Sequence, residues 1–363
     1  MTIRPWAGQA PPLHSHTSTQ VELFPLICHP EPEAKDLPIP HSQTPDLPQS
    51  SRPMTPQHSP PAFTLTPQPP YDFAANANFV THYKGSEGAD TYDGETLSRA
   101  IDLGDRVATI SISSTGTASK PALEVSISGQ PTSTEIEIAT RQVERIAGTR
   151  GNPQPFYDLI QDIPKLVVLK ENFHGLHLTQ ATSLFETITW AVLGQQISAN
   201  VAASLRRKIT AHYGRVGEIE GQPYALFPRP EDLESANIED LSALGLSQRK
   251  AEYTLGLRDE FGSGRLTESR LEAMDDAEVE TEILKLRGIG PWTAHWLLIR
   301  GLGREDALPV GDVALQKTLG ELVRGETFSP AELVDYAEQF RPYRSYLTIY
   351  LFALIRARRV GAV

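Results

Sequence analysis

The sequence predicts an α+β protein: a proline-rich tail, a small antiparallel-sheet domain, then a two-lobed helical module. Three observations carry this reading. Seventeen of the 29 prolines fall in the first 70 residues, among Ser, Thr, Gln and His. From residue 63 the texture changes to alternating β-branched segments, and after about residue 153 those give way to amphipathic segments with helix-start signals. A chain of 363 residues exceeds one ordinary core, so two or three folded units are expected.

Residues 1–62 hold few aromatics and no apolar period, so they bury too little to offset the entropy of ordering and are read as a disordered tail. VELFPLICH is its one apolar island. Residues 63–152 form the α+β domain. AFTLTP, TYDGETLSRAIDL, RVATISISS and ALEVSISG read as strands, broken by Gly, Asp and Ser. Helices are expected in AANANFVTHYKG and in STEIEIATRQVERIAG, where Ile136, Ile138, Val143 and Ile146 recur at helical spacing. Residues 153–363 form the module, read as all-α. PEDLESA, DDAEVETEIL and SPAELVDYAEQF place Pro, Ser or acids in first turns, and Gly214, Gly245, Gly288 and Gly301 stand at expected helix ends.

Composition excludes several function classes. A net charge of −12 argues against a general polyanion-binding tail or a basic membrane patch, so any nucleic-acid contact must be local. One cysteine, Cys28, excludes an internal disulfide framework, a four-cysteine zinc site and a four-cysteine iron–sulfur cluster. The opening MTIRPWAGQAPPLHSH has no apolar core of a secretory signal, and the run YLTIYLFALI is too short for a membrane span. The expectation is a soluble, intracellular, monomeric protein.

The richest stretch is TEILKLRGIGPWTAHWLLIRGLGREDALPVGDVALQKTL, residues 281–319. A helix is expected to end in Leu-Arg-Gly-Ile-Gly, and the next to open with Pro291, where a missing N–H costs nothing. Gly288 and Gly290 make a corner whose N–H groups can meet an anion unobstructed, although a tight helix–helix turn has the same need for glycine. Asp312, just before VALQKTL, suits either a helix N-cap or a catalytic carboxylate. Trp292 and Trp296 share a helix face that can be core or a pocket wall. Gln195 and Gln196 lie between an apolar helix and SANVAASLRRKI, with Ser198 placed to cap the second helix. Arg287 is either a phosphate contact or a solvated cation. Five basic residues here slightly outnumber four acids, so any nucleic-acid contact at this stretch would be of modest affinity with a shallow salt dependence.

QPPYDF (68–73), LFETITWAVLGQQIS (184–198), LRGIGPWTAHW (286–296), LPVGD (308–312) and RPYRSY (341–346) occur together in order. In these motifs the chain resembles the helix-hairpin-helix DNA glycosylases, and closely their DNA-3-methyladenine glycosylase II (AlkA-like) branch, over about residues 66–358. The resemblance implies a monofunctional enzyme that everts an alkylated purine, of the 3-methyladenine type, from double-stranded DNA and hydrolyses its glycosidic bond. It implies Asp312 as the catalytic carboxylate, Trp292, Trp296 and Tyr343 around the base, and Gly288, Gly290, Arg287 and Gln196 on the DNA, Gln196 at the wedge position. Trp292 stands where bifunctional members carry a Schiff-base lysine, so no strand cleavage is implied. Gln196 replaces an apolar wedge and Arg287 a more usual proline. No cofactor is required, but the family hairpin also binds a monovalent cation through main-chain carbonyls, which here would be those of Leu284, Leu286 and Ile289. A rival reading is a non-catalytic hairpin adaptor for damaged or bent DNA, and a third is an oxidised-purine glycosylase with lyase activity.

Overall fold

The computed structural model describes residues 62–81, 90–219, 222–359 and 361. The proposed tail lies outside them, apart from Ala62.

The first unit is a sheet faced by two helices. Its strands are β1 (Phe63–Leu65), β2 (Asp90–Tyr92), β3 (Thr96–Asp102), β4 (Val107–Ser114) and β5 (Leu123–Ile127), ordered β1-β5-β4-β3-β2 with every pairing antiparallel. Alternation puts Ala108, Ile110 and Ile112 of β4 on the buried face, with Leu123, Val125 and Ile127 of β5. Helix α1 is Phe73–Thr81, and α2 is Ser133–Ala147. The second is fixed at both ends: Thr132 and Glu135 form a capping box, and Gly148 closes it in the left-handed conformation at φ 64°. Val143 and Ile146 of α2 complete the sheet core, while Ile136 and Ile138 pack only partly buried at its margin.

Helices build the second unit: α3 (Gln154–Ile160), α4 (Pro164–Phe173), α5 (Leu184–Gly194), α6 (Ala199–Tyr213), α7 (Ile238–Ala243), α8 (Gln248–Gly262), α9 (Glu268–Ala273), α10 (Asp276–Ile283), α11 (Pro291–Arg300), α12 (Val313–Arg324), α13 (Pro330–Ala337) and α14 (Arg344–Arg359). A large core takes in Phe79 of α1 and runs from Phe156 to Leu354, and a smaller one under α6 to α8 holds Leu193, Leu205 and Leu241. Both α5 and α14 are mostly buried, which is why they read as near-continuous apolar runs. No helix among the described residues is long and apolar enough to cross a membrane.

The α+β reading holds, with two differences. The helical module is not purely helical: β6 (Arg215–Ile219) and β7 (Gln222–Leu226) pair as a hairpin that lies on β3 and β4. Its close approach needs Gly217, where a side chain would press on Val107. Helix α10 also stops at Ile283, so the segment Leu284–Gly290 is a turn and Gly288 lies beyond the helix end. By contrast, Gly214 and Gly301 stand at helix C-caps, and Gly245 follows α7 at φ 103°.

The two units are joined by buried polar contacts. Glu186 of α5 sits between Arg99 of β3, at 3.9 Å, and Arg206 of α6. Burial alone would raise the Glu186 pKa; Arg206 and Arg99 outweigh it and hold the carboxyl below its ordinary range. His177, fully buried, sets its two ring nitrogens against the carbonyls of Gly148 and Pro70 at 2.9 and 2.8 Å.

Candidate active site and nucleic-acid interface

Three loops converge on α11. The first is the turn between α10 and α11. Ile289 is buried and anchors it to the core, with its N–H on the Leu286 carbonyl at 3.2 Å. Gly288 adopts φ 86°, and a Cβ there would lie 2.3 Å from the Tyr253 ring of α8, so both backbone and packing demand glycine. Gly290 caps α11 without a side-chain bond, and a Cβ there would meet nothing within 4 Å. Among the described residues the N–H groups of Gly288, Gly290, Trp292 and Thr293 take no partner. The corner is half-buried, not sealed, and its free donors at a helix start suit a phosphate oxygen. Arg287 points outward, pairs with Glu252 at 2.9 Å and passes over Tyr253.

The second loop brings Asp312 to the same helix. Residues 309–312 close a turn in which the Asp312 N–H meets the Pro309 carbonyl at 2.9 Å. The carboxylate then serves two elements. Oδ1 accepts the Leu315 N–H at 3.0 Å as the N-cap of α12, and Oδ2 accepts the indole N–H of Trp292 at 3.0 Å. The cap reading of Asp312 holds, and its second oxygen is left to the hairpin indole. The residue keeps part of its surface open, yet the loss of water around the carboxyl raises its pKa above the ordinary value, against the pull of the Trp292, Leu315 and Ala314 N–H groups.

Trp292 stacks on Trp296, with centroids 5.9 Å apart and planes 23° apart, and Trp296 packs on Phe352 of α14 at 5.2 Å. Trp296 therefore belongs partly to the core, and Trp292 is the ring nearer the carboxylate. Tyr343 stands apart from this column: its ring faces Tyr346 at 6.4 Å. Its segment is nevertheless tied to the approach to Asp312, because Arg341 and Arg344 both grip Asp306 at 2.6 Å and Ser345 bonds Ala307.

The third loop joins α5 to α6. Ser198 caps α6, and Gln196 is exposed with φ 58°, the one non-glycine residue at positive φ among those described. Beside it, Gln195 donates to the Gly288 carbonyl at 2.9 Å and to Thr293 Oγ1 at 3.3 Å. Nothing in the local sequence marks this contact, since its partners are 93 and 98 residues away.

A sequence profile described as HhH-GPD superfamily base excision DNA repair protein matches residues 189–339, which span all three loops. The chain is 32% identical over 203 residues to the DNA-3-methyladenine glycosylase of Bacillus subtilis (strain 168), covering 55% of this chain and 67% of that protein. The chain belongs to the HhH-GPD superfamily of base excision DNA repair proteins. This HhH-GPD protein is also 25% identical to DNA-3-methyladenine glycosylase 2 of Escherichia coli (strain K12), over 80% of this chain and 96% of that one. Its fold matches the 3-methyladenine DNA glycosylase of Archaeoglobus fulgidus with a TM-score of 0.71 at 25% identity, over 83% of this chain and all of that one. The superfamily assignment makes it a DNA glycosylase and a DNA-binding protein.

Proposed function

We propose that this HhH-GPD protein is a monofunctional glycosylase that removes alkylated purines from duplex DNA by eversion and hydrolysis. The names of its relatives support the substrate class. The observation that carries the chemistry is the Asp312 carboxylate, held by the Leu315 N–H on one oxygen and the Trp292 indole on the other. Breaking a glycosidic bond builds positive charge on the sugar, and a carboxylate already fixed in place stabilises that charge without reorganising. The same group can orient or deprotonate the attacking water. The exposed Gln196 tip would fill the gap left by the everted nucleotide. An N-alkylated purine is cationic, so it leaves readily and is attracted to electron-rich rings such as Trp292, by about 0.5–2 kcal/mol.

Hydrolysis without strand cleavage is supported by the residues of the hairpin. Position 292 carries an indole, which cannot form a Schiff base, and the nearby Lys285 is exposed and paired with Glu282 at 2.6 Å. A monovalent cation would be held by the carbonyls of Leu284, Leu286 and Ile289, and the donor set fits. Among the described residues the Leu284 and Ile289 carbonyls accept no hydrogen bond, and Leu286 accepts one. Such a cation would add positive charge beneath a bound phosphate.

The test is incubation with a methylated duplex. The expected products are free 3-methyladenine and abasic sites that break only on alkali treatment, with no DNA adduct trapped by borohydride. A trapped adduct would overturn the monofunctional reading, and tight binding without base release would favour the adaptor.

A further inference from the structure

We propose that Gln195 is a positioning residue for nucleotide eversion, its side-chain amide latching the α5–α6 turn to the DNA-gripping hairpin. The proposal rests on the reading that this turn is the element inserted into DNA. A primary amide has two N–H donors, and Gln195 has two acceptors before it. One is the Gly288 carbonyl in the turn; the other is Thr293 Oγ1, buried in the first turn of α11. A single side chain therefore spans both halves of the hairpin. The next residue, Gln196, holds a left-handed backbone that non-glycine residues adopt only when their surroundings impose it. The imposing contacts lie on its N-terminal side. Gln195 fixes the C-terminal flank of α5 to the hairpin, and Lys250 of α8 donates to the Leu193 carbonyl at 2.6 Å.

The consequence is mechanical coupling. Gly288 is itself pinned by its left-handed φ and by the Tyr253 ring, so it makes a firm anchor. When the hairpin N–H groups seat on the backbone, the Gln196 tip is presented to the base stack at a fixed offset. Without the latch, the hairpin still grips, but the tip no longer enters in register.

The substitution that separates this role from ordinary packing is Gln195→Glu. The ionised carboxylate has no proton to donate and faces the Gly288 carbonyl; once protonated, it can donate there again. The charged groups on the surrounding elements are Lys250 and Glu252 on α8, Arg287 on the hairpin and the His295–Glu280 pair of α11 and α10. Their own titration is controlled by measuring wild type over the same pH range.

The probe is a duplex with a tetrahydrofuran abasic analogue flanked by 2-aminopurine, whose fluorescence reports insertion without any cleavage. Wild type should give a full fluorescence change at pH 7 and at pH 5. Gln195→Glu should lose at least threefold of that amplitude at pH 7 and regain part of it at pH 5, where the facing Gly288 carbonyl favours the protonated form. Gln195→Ala should remain low at both pH values, with anisotropy-measured binding within twofold of wild type for both Gln195 variants. Wild-type amplitude in Gln195→Glu at pH 7, or in Gln195→Ala at either pH, overturns the latch. Gln196→Ala distinguishes the two levels: if it too keeps wild-type amplitude, the insertion reading itself falls; if it is low while the Gln195 variants are normal, only the latch falls.

Discussion

Asp312 answers to opposing demands. Three N–H groups favour its charged form, while the loss of water favours the neutral one, and the net result is a raised pKa. In the proposed mechanism the working form is the carboxylate, so kcat/KM should fall as pH drops through a value above the ordinary aspartate range. Trp292→Phe removes the indole donor and should move that acid limb further upward. Profiles of single-turnover base release for both proteins check this, and an unmoved limb would mean that the indole does not act on the carboxylate. As a helix N-cap Asp312 was legible in the sequence, since an acid directly before VALQKTL has a local reason to be there. The indole bond was not, because it depends on how a helix and a loop 20 residues apart fold together. Tyr343 illustrates the same limit: its motif is recognisable, yet its ring contacts Tyr346 and not the tryptophan pair.

Within the hairpin the two glycines have different duties, and substitution should separate them. Gly288→Ala forces a Cβ into the Tyr253 ring at a positive φ, so it should destabilise the fold by about 2–4 kcal/mol, read as a lower melting temperature. Gly290→Ala meets open space at φ −113° and should leave the melting temperature nearly unchanged, while its methyl should obstruct the proposed phosphate site and weaken DNA binding in an anisotropy titration. Equal loss of stability in both would remove the case for an anion-binding corner. The Gly-x-Gly before Pro291 made a turn legible, and Pro291 does open α11. The helix end was misplaced because Leu284 to Arg287 continue a helical composition, whereas tertiary anchoring of Ile289 bends the chain.

Across the whole molecule, the sheet unit and the helices are locked by the Arg99–Glu186–Arg206 triad. Glu186→Gln leaves two buried arginines short of their counter-ion and should cost about 3–5 kcal/mol. The Glu186 pKa is lowered, so its contribution is complete above the unfolded carboxylate pKa and is lost as pH falls through the folded one. Melting temperatures of wild type and Glu186→Gln should therefore converge only as pH falls through that lowered folded value. The sheet and most helices were legible from periodicity, whereas the β6–β7 hairpin was not: each strand has five residues and holds a Gly or Pro, and its pairing is stabilised by the sheet it lies on. The central claim remains that a fixed carboxylate drives base release from DNA gripped by the hairpin. Its most direct measurement is release of 3-methyladenine by Asp312→Asn, which keeps a good N-cap residue and loses the charge. The account predicts excision reduced at least a hundredfold with unchanged DNA affinity and melting temperature; release at the wild-type rate would contradict it.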